Sequence, residues 1–119
     1  MSGVLLKKRY YKKGRRDFMT FERIVGLDVI DNEEYQKYRE GMLPILKTYG
    51  GAFGYDFLVS DVLLAKGESN INRVFTIEFP DKQVMERFFS DPNYVAVQNK
   101  HLKNSINSKT VISMHEKNS

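Results

Sequence analysis

A carboxylate, an imidazole and a guanidinium gathered in one cleft can do general acid–base work on a small carbonyl compound or lactone. One group takes a proton, another returns it, and the cation steadies negative charge. Between positions 55 and 101 the chain offers such a set. Asp56, Glu78 and His101 are the candidate catalytic groups, and Arg73, Tyr55 and Tyr94 are candidate substrate-binding residues. His115 adds a second imidazole. Each has a plainer reading. Asp56 and Arg73 flank a hairpin, where a strand-end ion pair is common. Glu78 points by parity to the open side of a sheet, and His101 follows Tyr94 and Val97 along a short helix, as a half-buried end residue does. Tyr35 and Tyr38 sit at helical spacing and read as core. No Ser-His-Asp order, glycine-rich phosphate loop or metal-ligand spacing accompanies them. Cysteine is absent and the two histidines lie far apart, so neither a metal nor a cofactor is expected.

The elements that must position these groups begin after a basic arm. Residues 1–18 hold seven cations and one acid, a charge of +6, while the whole chain carries +4; the body over residues 19–119 is therefore slightly acidic at −2. The arm interleaves its cations with Tyr10 and Tyr11, which suits weak contact with nucleic acid or an anionic surface. With 119 residues, 41% of them hydrophobic, the body fits a single domain with a modest core. No apolar run is long enough to span a membrane and no secretory signal is present, so the expected location is cytoplasmic.

Alternation over residues 20–30 predicts a first strand with Phe21, Val25, Leu27 and Val29 on one face and Arg23 as the exception among them. Asp31 and Glu34 form a capping box for a helix with the stripe Tyr35, Tyr38, Met42, Ile45 and Tyr49, weakened near Pro44 and ended by Gly50 and Gly51. Residues 52–66 predict a long, bulged second strand, with Phe53, Tyr55, Phe57 and Val59 on one face. Phe75, Ile77 and Phe79 mark a third. Pro80 stops it, Asp81 caps a helix, and Asp91-Pro92 starts another. Residues 109–115 predict the last strand, with Ile112 and Met114 toward the helices. The order is a split βαβ repeat: an α+β, ferredoxin-like fold with a four-stranded antiparallel sheet and helices on one face.

The run of Asp31 with Tyr35 and Tyr38, Tyr49-Gly50-Gly51, Gly67, Phe79-Pro80 and Ser90-Asp91-Pro92-Asn93-Tyr94 resembles the domain of unknown function 1330 family, a branch of the dimeric α+β barrel superfamily, over about residues 20–116. The chain departs from that family where an arginine is common shortly after the glycine pair, and where His101 stands for another arginine. The resemblance implies a dimeric barrel, and relatives in the superfamily include lactone isomerases and cofactor-free monooxygenases. It implies no particular reaction.

The uncovered face of the sheet would carry Ile24, Gly26, Val74, Thr76 and Val111 beside Glu22, Asp28, Glu78 and His115. Burying ~500 Å² of its apolar atoms is worth about 10 kcal/mol before association costs, which predicts a homodimer packed sheet on sheet. The expected function is to bind or transform a small organic acid or lactone in a cleft on the sheet face. The alternatives are a non-catalytic dimeric ligand-binding or interaction domain and weak nucleic-acid binding through the arm. RNA recognition by the body is not expected. Val74 follows Arg73 where such domains need glycine, Ile77 stands where an aromatic is needed, and Phe75 and Phe79 face the helices.

Overall fold

Alternating apolar residues make Met19–Val29 the central strand, β1, of the computed structural model, which describes residues 19–67 and 70–118. The basic arm over residues 1–18, with the nucleic-acid contact expected of it, lies outside the described residues. α1 (Asn32–Thr48), β2 (Ala52–Leu58), β3 (Arg73–Phe79), α2 (Lys82–Ser90), α3 (Pro92–Val97), a π-helical turn (Gln98–Leu102), a short α4 (Lys103–Ser105) and β4 (Ile106–Asn118) follow. The strands pair antiparallel in the order β2-β3-β1-β4, the ferredoxin-like arrangement, with the helices on one side. Among the described residues no helix is long and apolar enough to cross a membrane.

Local chemistry sets the boundaries. The Asp31 carboxylate accepts the Glu34 N–H at 3.0 Å and starts α1, which runs through Pro44 to Thr48. Gly50 takes φ +73°, and the Gly50 and Gly51 N–H groups return to Lys47 and Leu46 carbonyls at 3.0 Å each, a Schellman ending. Asp81 caps α2 by accepting the Val84 N–H at 2.8 Å. Beneath the helices lie Phe21, Val25, Leu27 and Val29 of β1, Phe75, Ile77 and Phe79 of β3, and Tyr35, Tyr38, Met42 and Leu46 of α1. Phe88 is the aromatic centre, with ring centroids 4.5 Å from Tyr94, 4.9 Å from Phe89 and 5.5 Å from Phe79.

Two edge strands differ from expectation. In β2, Phe53 pairs with Ile77 but Asp56 with Phe75, so Gly54 and Tyr55 together oppose Thr76 in a bulge. The Tyr55 N–H donates to Thr76 Oγ1 at 2.8 Å, and a Cβ on Gly54 would stand 2.6 Å from that oxygen. The bulge inverts the parity: Phe53 and Asp56 share the helix side, while Tyr55 and Phe57 stack on the open face with centroids 5.8 Å apart. The strand then stops at Leu58 rather than reaching residue 66: after one further bond, from the Val59 N–H to the Asn72 carbonyl at 2.9 Å, the Asn72 N–H turns to the Leu27 carbonyl. Asn72 is diverted to β1, where its side-chain amide bonds the Val29 N–H and C=O at 2.9 Å each. β4 is longer than expected, with Ile112 and Asn107 as its bulge residues; Met114 opposes Arg23 as expected, but Val111 opposes Val25.

Candidate functional site

Arg23 is the one charged residue among the odd-numbered, helix-facing positions of β1. Its guanidinium carbon lies 4.4 Å from the centroid of the Phe89 ring, and its Nε is buried without a hydrogen-bond partner among the described residues. No carboxylate pairs with it there either. Burial lowers its pKa, an effect that the nearby Tyr94 and then Tyr38 oppose. One β4 residue along the same side, Lys109, also lacks a carboxylate partner among the described residues. It stands exposed on the edge strand, yet partial burial of its amine, and next the charge of Arg23, lower its pKa.

Above these cations the helices supply two phenols. Asp91 caps α3 by accepting the Asn93 and Tyr94 N–H groups at 2.7 and 3.3 Å, and is itself fixed by the Tyr49 hydroxyl at 2.6 Å. That cap aims Tyr94 inward to meet Tyr38 of α1. Their hydroxyls are 2.8 Å apart and either can donate. Burial raises the pKa of both, Tyr38 well above the ordinary value, so both are neutral at physiological pH and able to donate. Arg23, Tyr38, Phe53, Phe75, Tyr94 and Lys109 line a cavity of about 30 Å³, room for a water or two. Outside it runs an open groove of about 460 Å³ between α2 and β4, large enough for a small organic molecule. Arg23, Phe89 and Lys109 line both spaces and form the neck between them. Among the described residues Glu86, exposed on α2, is the one carboxylate lining the groove.

Of the six residues singled out in the sequence, only Tyr94 lines this cavity. Asp56 accepts Arg73 Nε and Nη2 at 2.8 Å each, and Arg39 Nη1 at 3.1 Å, at the β2 edge. His101 Nδ1 meets Glu34 Oε2 at 2.5 Å, which ties the π-helical turn to the start of α1. Glu78 lies on the open face, bonded by Lys117 Nζ at 3.1 Å and Thr20 Oγ1 at 3.3 Å. Tyr55 is exposed on that face. These groups do not converge. A further cluster forms on the open face, where Ser113 Oγ lies 2.6 Å from His115 Nδ1 and His115 Nε2 lies 2.9 Å from Glu22 Oε1. It has the order of a nucleophilic triad, but neither Ser113 nor His115 lines the cavity or the groove, and Glu22 is also held by Lys117 Nζ at 3.2 Å. Among the described residues no three His, Asp or Glu side chains are placed to hold a metal ion. Arg23 and Lys109 escaped the sequence reading. A lone charge on an apolar strand face was the available signal for Arg23; Lys109 needed the β1–β4 register.

The sequence matches a family model described as a domain of unknown function (DUF1330) over residues 23–114. No curated protein matches it. Among solved structures it is similar to a protein of unknown function from Rhodopseudomonas palustris, with TM-score 0.68, 14% identity, and coverage of 86% of this chain and 83% of that one. A DABB-family protein with a ferredoxin-like fold from Mesorhizobium loti gives 0.59 and 13% identity over 85% and 97% of the two chains. A dimeric ferredoxin-like protein of unknown function from Thermobifida fusca gives 0.53 and 10% over 92% and 100%. At these identities the likeness is one of fold.

Proposed function

The chain belongs to the DUF1330 family, and from that premise we propose that it is a homodimeric protein that binds a small organic carboxylate at the neck formed by Arg23, Phe89 and Lys109. The observation that carries this reading is the pair of cations, Arg23 and Lys109, set against apolar walls with no carboxylate pairing them among the described residues. A partly desolvated arginine with an unpaired Nε is costly unless an anion arrives to satisfy it. The 30 Å³ cavity takes no organic body, so the carboxylate sits at the neck and its hydrocarbon or aromatic part lies in the groove, against Phe89, Met85 and Met114. Water in the cavity bridges the bound oxygen to the Tyr38–Tyr94 hydroxyls. Two cations favour an acid over a neutral lactone. The same geometry serves a binding protein or an enzyme.

The test is a thermal-shift series with benzoate, phenylacetate and 3-phenylpropionate, each against its neutral amide. The acids should raise the midpoint, the amides should not, and Arg23→Met should lose the shift. Equal shifts for acid and amide, or an undiminished response in Arg23→Met, would remove the neck as the site.

A further inference from the structure

Lys109 can do more than balance charge. It is reachable from the open groove, it lines the neck beside a second cation, and no carboxylate among the described residues holds it as an ammonium. An amine with an apolar floor and a cationic neighbour is the setting in which lysine becomes a nucleophile toward carbonyl carbon. Arg23 is placed to fix a carboxylate, and the Tyr38–Tyr94 pair supplies neutral hydroxyls lining the same cavity.

Resting on the acid-binding reading above, we infer that Lys109 forms an imine with an oxo acid whose carboxylate is held by Arg23. The Nζ lone pair attacks the carbonyl carbon and the C=O π pair moves to oxygen. A proton passes from nitrogen to that oxygen, giving a neutral carbinolamine. A tyrosine hydroxyl then protonates the carbinolamine oxygen through the cavity water, the C–O bond breaks, and water leaves as the nitrogen pair forms C=N. The iminium N–H proton returns to the phenolate by the same water. Amine and carbonyl become imine and water, and no oxidant or reductant takes part. The lowered pKa of Lys109 increases the fraction of free amine available for the first step.

The experiment uses the full chain with phenylpyruvate and sodium cyanoborohydride, followed by intact mass and peptide mapping. 3-Phenylpropionate, the same acid without the carbonyl, is run in parallel for binding. One reduced adduct on Lys109 is expected, formed at least about tenfold faster than on any other lysine because the carboxylate is anchored. The adduct disappears in Lys109→Arg, and no other lysine takes it up. In Arg23→Met both adduct rate and binding fall. If 3-phenylpropionate binds but no adduct forms, or adducts spread over many lysines at similar rates, the imine is wrong and acid binding stands. If 3-phenylpropionate does not bind the unaltered chain, acid binding is wrong and the imine falls with it.

Discussion

Arg23 sets a conflict that most residues in this core avoid. Its guanidinium is half-buried over Phe89, and its Nε has no partner among the described residues. A residue kept for stability would be paired; one kept for a ligand is expected to be better replaced by a hydrophobe when the ligand is absent. Arg23→Met should therefore unfold in urea within about 1 kcal/mol of the unaltered chain, on the stabilising side, because it removes a desolvated charge and retains a long apolar stem. The same substitution should abolish the carboxylate-induced shift. A loss of several kcal/mol would mean that Arg23 is structural. Asp56 is the opposite case. The Arg73 hydrogen bonds hold its carboxyl below the ordinary carboxylate range, against burial and with help from Arg39. A depressed folded pKa gives stability that is present above the unfolded value of about 4 and is lost as pH falls through the lower folded value. With the carboxylate about a third exposed, its worth is about 1 kcal/mol after screening. Asp56→Asn should cost that amount at pH 7 and flatten the fall of the urea midpoint between about pH 5 and pH 2. An unchanged acid slope would separate Asp56 from the pH response.

At the scale of elements, the parts readable in the sequence were those set by local rules: the Asp31 and Asp81 caps, the Gly50 ending, the apolar period of β1 and β3. What escaped depended on a partner strand. Residues 52–58 alternate well enough to be read without interruption, yet the bulge at Gly54 and Tyr55 transfers Asp56 to the helix side and Tyr55 to the other. Only the contact with Thr76 reveals it. Arg23 and Lys109 are separated by 86 positions, and only the β1–β4 register brings them to one neck. Gly54 should thus be the residue that holds the second strand in its observed parity. Gly54→Val would drive a side chain onto Thr76 Oγ1 and also toward Glu78 Oε2, which lies 3.3 Å from where the Cβ would stand. It should cost about 1–3 kcal/mol and speed amide exchange across residues 55–58. Because both changes break the Asp56–Arg73 pair, Gly54→Val and Asp56→Asn together should cost less than the sum of the two. Full additivity would show that the pair survives without the bulge.

At the scale of the whole molecule, the sheet has one finished face and one unfinished. Ile24, Val74 and Thr76 remain partly exposed opposite the helices, and Tyr55 and Phe57 stand well out of β2. Its carboxylates are bonded within the chain: Glu22 by His115 and Lys117, Glu78 by Lys117, and Asp28 by the Asn107 amide. A face whose carboxylates are held in this way can meet its own copy across a two-fold axis while its apolar residues gain cover. The expected state is a homodimer, twice 13.9 kDa by light scattering at micromolar concentration. Val74→Arg, at the centre of the face, should yield a folded monomer, since two such cations would face each other in a partly desolvated layer. A monomeric unaltered chain, or a Val74→Arg protein that still dimerises, would count against the sheet-on-sheet packing. The same variant also separates the two faces. Arg23, Phe89 and Lys109 lie on the helix side, so the Val74→Arg monomer should still respond to 3-phenylpropionate; a response lost with the dimer would return recognition to the open face, where Glu78 and Tyr55 stand.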